Sequence, residues 1–428
     1  SVHSVKAVGR TAIKDNLSAG GEFVYKYYDR REQCWSMLTF AQSNPFFLAD
    51  NQPGNQVSEF YALKCNILYK PIDGLFRMGG ECHFLAASTA KQKDIRNKNV
   101  YSSYTIRPML GMKIRKSVVM LAYGYSSVAE DVSISRFGND KTIWINSVEA
   151  LWFGQRQPYS SAQFPSRRYD QKRHSGLLNV EYDNGDFSLN GELLLYGGES
   201  EVRQRTEDKR VGFTHDKGVR GLLSVQLSRH KLSVELSSNA VVGFKPIQRR
   251  EYNGNAYHYV QYGKVRRSES TYGDVLISYR KQQESGYWGL SFGQCTKTDR
   301  MLFYPTKFSS RRSNVSLHAN GALFLPLYNQ LLTTKLNLKY VIDTSDNEML
   351  TNIHILPQGY YLEQAAMQAQ YEYETSDYIA ISPHLSWLMK SKGHLLVSLQ
   401  IGYEGRFSVG KHSGHSRHGV DVGLKFNM

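Results

Sequence analysis

Cysteine is scarce in this chain: Cys34, Cys65, Cys82 and Cys295 are the four in 428 residues. No two of them form a Cys-x-x-Cys pair, so a zinc or thioredoxin-type centre has no support. Cys65 and Cys82 flank an expected hairpin and are placed to join in an oxidising compartment; free buried thiols are the alternative. Long apolar runs are missing as well. No stretch of 18 apolar residues occurs and the mean hydropathy is −0.47, which excludes helical membrane spans. A β-barrel is not excluded, because its strands alternate and average out as polar. Acidic residues fall short, 38 against 53 Lys+Arg, leaving a formal net charge of +15. Soluble basic proteins often bind nucleic acid, but no recognition helix or RNP-type aromatic motif accompanies the charge. A barrel would carry it on loops or in its lumen. Catalytic signatures are absent too: no GxSxG or HExxH, and carboxylates that appear singly on alternating faces. No enzyme activity and no cofactor are expected. The start at Ser1, with no charged n-region and apolar h-region after it, reads as a mature form.

What the chain has in quantity is alternation. Val420, Val422, Leu424 and Phe426 oppose Asp421, Gly423, Lys425 and Asn427. Leu395, Val397, Leu399, Ile401 and Tyr403 oppose a second, more polar set, and so do Leu332 to Ile342. Ala365, Met367, Ala369, Tyr371 and Tyr373 oppose glutamines and glutamates. Side chains of a strand point to alternate faces, so each segment has one apolar and one wet face. Tyrosine is abundant, 29 against 19 Phe and 5 Trp, and its apolar ring with a polar tip suits a hydrocarbon–water boundary.

The strands pair across short connections: Tyr61–Tyr69 with Phe76–Phe84 over Asp73-Gly74, and Leu178–Tyr182 with Phe187–Leu195 over Asn184-Gly185. Leu223–Leu227 meets Leu232–Leu236 over Arg229-His230, Val275–Tyr279 meets Trp288–Phe292, and Leu317–Phe324 meets Leu332–Ile342 near Asn329. Asx-Gly is a strong hairpin signal. Longer polar stretches lie between the pairs, near 88–100, 131–171, 201–216, 246–264, 300–310 and 344–360. Short turns alternating with long loops is the outer-membrane pattern, turns facing the periplasm and loops outside. The expectation is an all-β fold, a transmembrane antiparallel β-barrel of about 14–16 strands, even in number, with both termini periplasmic, over residues 55–428. Residues 1–54 alternate weakly and break at Asn44-Pro45 and Pro53-Gly54. They form a lumen plug or a first strand.

The final strand, Gly419 to Met428, resembles the C-terminal signal of bacterial outer-membrane barrels, although its aromatic, Phe426, stands third from the end. The layout resembles an outer-membrane barrel family of Bacteroidetes-type bacteria, whose members look like companions of TonB-dependent receptors; this implies an accessory role in nutrient uptake. More distantly it is similar to the long-chain fatty acid transporter family, which implies a barrel with an N-terminal lumen plug and an Asn-Pro motif before its first long strand. Ser43-Asn44-Pro45-Phe46-Phe47 matches that motif, except that Phe46 stands where a small residue is expected.

Candidate sites are few. Gly405–Lys411 has phosphate-loop spacing, but His412 follows the lysine and no strand–helix unit surrounds it. His412, His415 and His418 suit a metal by residue type, yet Lys411 and Arg417 sit among them and would repel a cation. A polar loop is the plainer reading. Basic clusters recur: Arg167, Arg168, Lys172 and Arg173; Lys264, Arg266 and Arg267; Arg311 and Arg312. Guanidinium groups grip phosphate in bidentate fashion, so these are candidates for lipopolysaccharide or anion contact, solvated loops being the alternative. Two functions stay open: a transport barrel, as channel or plugged transporter, and a non-transporting accessory barrel beside a TonB-dependent receptor or surface lipoprotein. The expected surroundings are outer-membrane lipid and lipopolysaccharide, with no nucleic acid. A soluble basic β-protein is the third reading.

Overall fold

A computed structural model of the chain describes all residues except 1, 35, 41–43, 51, 72–73, 93–94, 136–142, 151–152, 160–165, 253, 256, 304–305, 328–329, 346–359, 363–371, 373–374, 391–395, 410–415 and 428. Its strands are β1 (Val2–Lys14), β2 (Leu17–Gln33), β3 (Leu48–Ala49), β4 (Gly54–Tyr69), β5 (Phe76–Lys91), β6 (Arg96–Ile114), β7 (Ser117–Ser135), β8 (Ile143–Ala150), β9 (Phe153–Tyr159), β10 (Arg167–Asp183), β11 (Phe187–Gln204), β12 (Lys209–Leu227), β13 (His230–Tyr252), β14 (Tyr257–Gln283), β15 (Gly286–Phe303), β16 (Thr306–Leu327), β17 (Gln330–Asp343), β18 (Tyr360–Leu362), β19 (Asp377–Lys390), β20 (Leu396–Val409) and β21 (Ser416–Asn427). Seventeen of them make one ring, each paired with its neighbours in sequence, and the ring closes where β1 runs parallel to β21, Val2 opposite Asp421. Only β3, β8, β9 and β18 stand apart, as a small second sheet.

The exterior is apolar and open to its surroundings. On β6 the outward row reads Tyr104, Ile106, Pro108, Leu110, Met112 and Ile114; Leu110 faces Leu121 of β7, 64% and 61% exposed. Ten steps at about 3.4 Å, tilted about 40°, climb about 26 Å, the height of the lipid-facing band of an outer-membrane barrel. Aromatics flank the band. On the turn side Tyr279 packs edge-on to Trp288, ring centres 5.6 Å apart, and Trp387 donates to Gln330 Oε1 at 2.7 Å. On the loop side Tyr123 meets His174 at 2.5 Å. Such a closed ring, with each wall strand paired on both sides through the lipid band and an apolar outside, is an outer-membrane β-barrel of bacterial type.

The hairpins expected over Gly74 and Gly185 are present, and both glycines take positive φ, 65° and 88°. The turn after β12 lies one residue earlier than expected, at Ser228-Arg229, because His230 already pairs with Leu227. The wall departs from expectation in two ways. Its fifteen strands from β4 onward agree with the expected 14–16, but β1 and β2 bring the ring described to an odd 17, and Val2 aligns with Asp421, midway along β21, instead of lying on the turn side. The alternating segment 364–374 lies, apart from Glu372, outside the described residues, and β17 pairs directly with β19. Several polar "loops" are strand. β11 and β12 run on to Gln204 and Lys209, β13 and β14 to Tyr252 and Tyr257, and β5 and β6 leave only 92–95 between them. Above the lipid both faces are wet, so the apolar alternation stops while the hydrogen-bonded ladder goes on.

Of residues 1–54, Val2–Lys14 and Leu17–Gln33 are wall. The weakly alternating stretch after Gln33 turns into the lumen. There Met37, Leu38, Phe46, Phe47 and Leu48 pack with Ile95, Val132, Ile145, Val148, Tyr169 and Val202 in the one apolar core found among the described residues. Gln33 to Gly54 is thus an infold between two wall strands, unlike the fatty-acid-transporter layout, in which the N-terminal segment itself is the plug.

Candidate functional site

A barrel of 16–18 strands encloses a water-filled channel unless something fills it. The turn-side half of this lumen is open: on β17 the inward Lys335 and Asn337 are exposed along with the outward Leu336 and Leu338, and on β4 Lys64 and Asn66 are exposed opposite Leu63 and Ile67. The loop-side half is shut. There the inward residues of many strands are buried, among them Ser58, Lys91, Asn99, Glu130, Arg167, Thr214, Ser268 and Arg312.

The infold is anchored residue by residue. Asn44 Oδ1 accepts from the Phe46 backbone N–H at 2.9 Å, a local turn that suits the residue before proline. Its Nδ2 donates to Ser200 Oγ of β11 at 3.0 Å, and Ser200 meets Thr214 of β12 at 2.6 Å. Phe46, fully buried, lies against wall glycines. A Cβ on Gly212 of β12 would meet three of its ring atoms at 2.5–2.6 Å, and one on Gly243 of β13 would meet another at 3.2 Å. The large residue at a position expected to be small is accommodated because the wall supplies the small residues instead. Glu130 of β7 accepts from the Thr39 N–H and from Asn99 Nδ2, both at 2.7 Å. Asp50 meets Lys91 Nζ at 2.7 Å, each side chain 3% exposed. Burial pushes the Asp50 carboxyl above the usual carboxylate range, and the Lys91 charge pulls it part of the way back. Backbone bonds tie the infold to β8: Val148 N donates to Phe47 O at 2.8 Å, and Leu48 pairs with Ser147. β9 then carries β18.

Alternation divides the basic clusters between the two faces of the wall. Arg167, Arg173, Arg267 and Arg312 point inward; Arg168, Lys172, Arg266 and Arg311 point outward, and Lys264 lies outside with its ammonium 4.6 Å from the Phe244 ring centre. Inside, Arg312 pairs with Asp299, which Lys297 also approaches at 3.4 Å, and Arg173 pairs with Asp216 at 2.7 Å. Glu149 of β8, buried, holds Lys245 and lies 3.6 Å from Arg267. Outside, Arg168 pairs with Asp170 at 2.8 Å, and Arg266 with Glu269. Sequence reasoning grouped these residues by proximity along the chain; reading each doublet with period two would have separated them. It missed Glu149, Glu130 and Asp50, single carboxylates that matter only once the infold meets the wall.

His418 is exposed and binds Tyr403 at 2.6 Å, while His412 and His415 lie outside the described residues. No cluster of metal-ligating side chains occurs among the described residues. Cys65 and Cys82 are direct cross-strand partners on the outer face, both free thiols. Two cavities flank the infold. One, of about 320 Å³, is lined by Phe40, Tyr101, Glu130, Tyr169 and Gln171. The other, of about 240 Å³, is lined by Arg167, Lys209, Lys245, Glu149, Gln248 and Tyr259.

No curated protein matches the chain. Among solved structures it is similar to the copper transporter OprC (9% identity, 96% of this chain, 65% of that one, TM-score 0.42). It is similar also to the outer membrane transporter YddB from Escherichia coli (9%, 97% and 66%, 0.43) and to the RagAB peptide transporter (9%, 90% and 61%, 0.39). The chain spans less than two thirds of the length of these three proteins. At such identity and TM-scores the likeness goes no further than shape, and it lends nothing to a fatty-acid-transporter layout or a Bacteroidetes-type origin. The model of a family of unknown function, DUF6850, matches residues 1–428, and the chain belongs to that family.

Proposed function

We propose that this chain is a transport-related outer-membrane barrel, shut at rest by its own infold. The observation that carries the reading is the asymmetry of the lumen: polar and open on the turn side, capped on the loop side by residues 36–50 and the β8–β9 hairpin. A wall needed only as a membrane anchor has no use for a wide polar interior with a separately docked cap. Passage of a small solute requires the cap to shift, since the wall itself is a continuous ladder. In planar bilayers the intact chain is expected to conduct little and a chain lacking residues 36–50 to conduct strongly. Equal, negligible currents from both, with the barrel shown to be folded, would remove the transport reading.

The accessory reading is favoured by one feature. On the outer wall two rows above Lys217, Phe213 and Phe244 stack at 5.3 Å and 17°, with Lys264 beside both rings. Outward-facing, half-buried aromatics above the lipid band suit a docked neighbour such as a TonB-dependent receptor or surface lipoprotein. Gentle extraction from native membranes tests it: a stoichiometric partner lost on Phe244→Ser supports docking, and a lone monomer opposes it.

A further inference from the structure

The loop-side cavity of about 240 Å³ holds a buried cation with unused donors. Arg167 opens β10, points into the lumen and is 2% exposed. One terminal nitrogen donates to Ser147 Oγ on β8. Its Nε and Nη1 have no hydrogen-bond partner among the described residues. Among the described residues the only carboxylate lining the cavity is Glu149, and that is occupied by Lys245 and Arg267. Four lining cations, Arg167, Lys209, Arg210 and Lys245, against one carboxylate leave an excess of three charges, or two once Arg210 is set against Glu201, which it meets at 2.7 Å. Lys209 has its ammonium 5.3 Å from the Tyr259 ring centre.

A buried guanidinium with two idle donors is costly. The two idle groups lie on opposite sides of Nη2, and whichever of them sits beside the Nη2 hydrogen not given to Ser147 makes with it a planar fork that fits two oxygens of a carboxylate or phosphate. We infer that this cavity binds a small oxyanion, the carboxylate or phosphate group of a solute, with Arg167 as the bidentate anchor and Lys209 as a second cation. The inference deepens the transport reading by naming the class of solute, and rests on that reading only for passage onward through the lumen.

The test uses the full chain in detergent micelles, titrated by calorimetry with inorganic phosphate, with acetate and, separately, with vesicles containing lipopolysaccharide. Wild type is expected to bind the free anions saturably. Removing one partner of a buried charge pair typically costs 2 kcal/mol or more, so Arg167→Gln should weaken binding about thirtyfold or more. Lys209→Gln, at a less buried position, should weaken it severalfold, and it keeps the test decisive if the Arg167 variant fails to fold by heat-modified gel migration. Arg168→Gln, on the outer face, should leave free-anion binding unchanged. No saturable binding by wild type, equal affinity in Arg167→Gln and Lys209→Gln, or binding only of vesicles with loss on Arg168→Gln would each overturn the site. Anion binding without current through the 36–50 deletion would retain the site and sink transport; current without anion binding would do the reverse.

Discussion

The seat of Phe46 gives the sharpest handle on whether the infold is a closure. Phe46 is 0% exposed and its ring lies over Gly212 and Gly243 of the wall. Truncating a fully buried phenylalanine to alanine costs about 3–5 kcal/mol. Because wall pairing runs through backbone bonds that Phe46 does not make, that loss falls on docking of the infold, not on the barrel. At about 1.4 kcal/mol per decade, Phe46→Ala should raise the undocked population between about a hundredfold and several thousandfold. Gly212→Ala attacks the same contact from the other side. Its new methyl would stand 2.5 Å from the ring, and overpacking of this kind costs about 1–3 kcal/mol, a rise of roughly fivefold to 150-fold. Gly176→Ala on β10 is the control, since a Cβ there meets nothing within 4 Å. The assay is open probability in planar bilayers, with heat-modified gel migration reporting the integrity of the wall. Openings should rank Phe46→Ala above Gly212→Ala above Gly176→Ala, the last equal to wild type. If all three conduct alike while migrating as folded barrels, docking of Phe46 does not control the lumen and the closure argument fails.

Two further outcomes are expected. Lys91→Met leaves the Asp50 carboxylate buried without its counter-ion and should destabilise the docked infold by about 3–5 kcal/mol, with much of the loss recovered in the Lys91→Met, Asp50→Leu double variant; limited proteolysis within 36–50 reads both. Cys65 and Cys82, opposed across an antiparallel pair, have Cα atoms about 4.5–5.5 Å apart, within the span of a disulfide. Mild oxidation should therefore join them, seen in the denatured chain as a fall from four maleimide-reactive thiols to two, Cys34 and Cys295, and as loss of one H₂ in mass. Four thiols still reactive after oxidation would mean that the strand geometry forbids the bond.

The lipid-embedded part of the wall was legible in the sequence because bilayer and lumen impose opposite solvents on successive residues. Leu332 to Ile342 and Val397 to Tyr403 show it in their alternation. Legibility ended where that contrast ended. Lys209–Gly212 and Gln248–Tyr252 continue the ladder with water on both sides, so they read as loop. β1 and β2 were not separated as two wall strands because glycines and charges blur their alternation. The infold showed itself only as an interruption, Asn44-Pro45-Phe46-Phe47, and nothing local announced that Gly212 and Gly243 were its counterpart some 170 and 200 positions further on. The candidate site was half visible: the arginines could be named, but the carboxylates that pair with them, and the absence of one at Arg167, belong to the folded lumen.

β14 has 27 residues. At about 3.4 Å per step and about 40° of tilt it reaches roughly 68 Å, against about 25 Å of hydrocarbon. Most of the difference rises on the loop side, so the outermost portion is a stiff palisade of cross-linked ribbons, not a tuft of flexible threads. Such a turret lifts the entrance through the sugar layer that coats the cell and offers antibodies, phages and proteases little but the narrow rims of its hairpins.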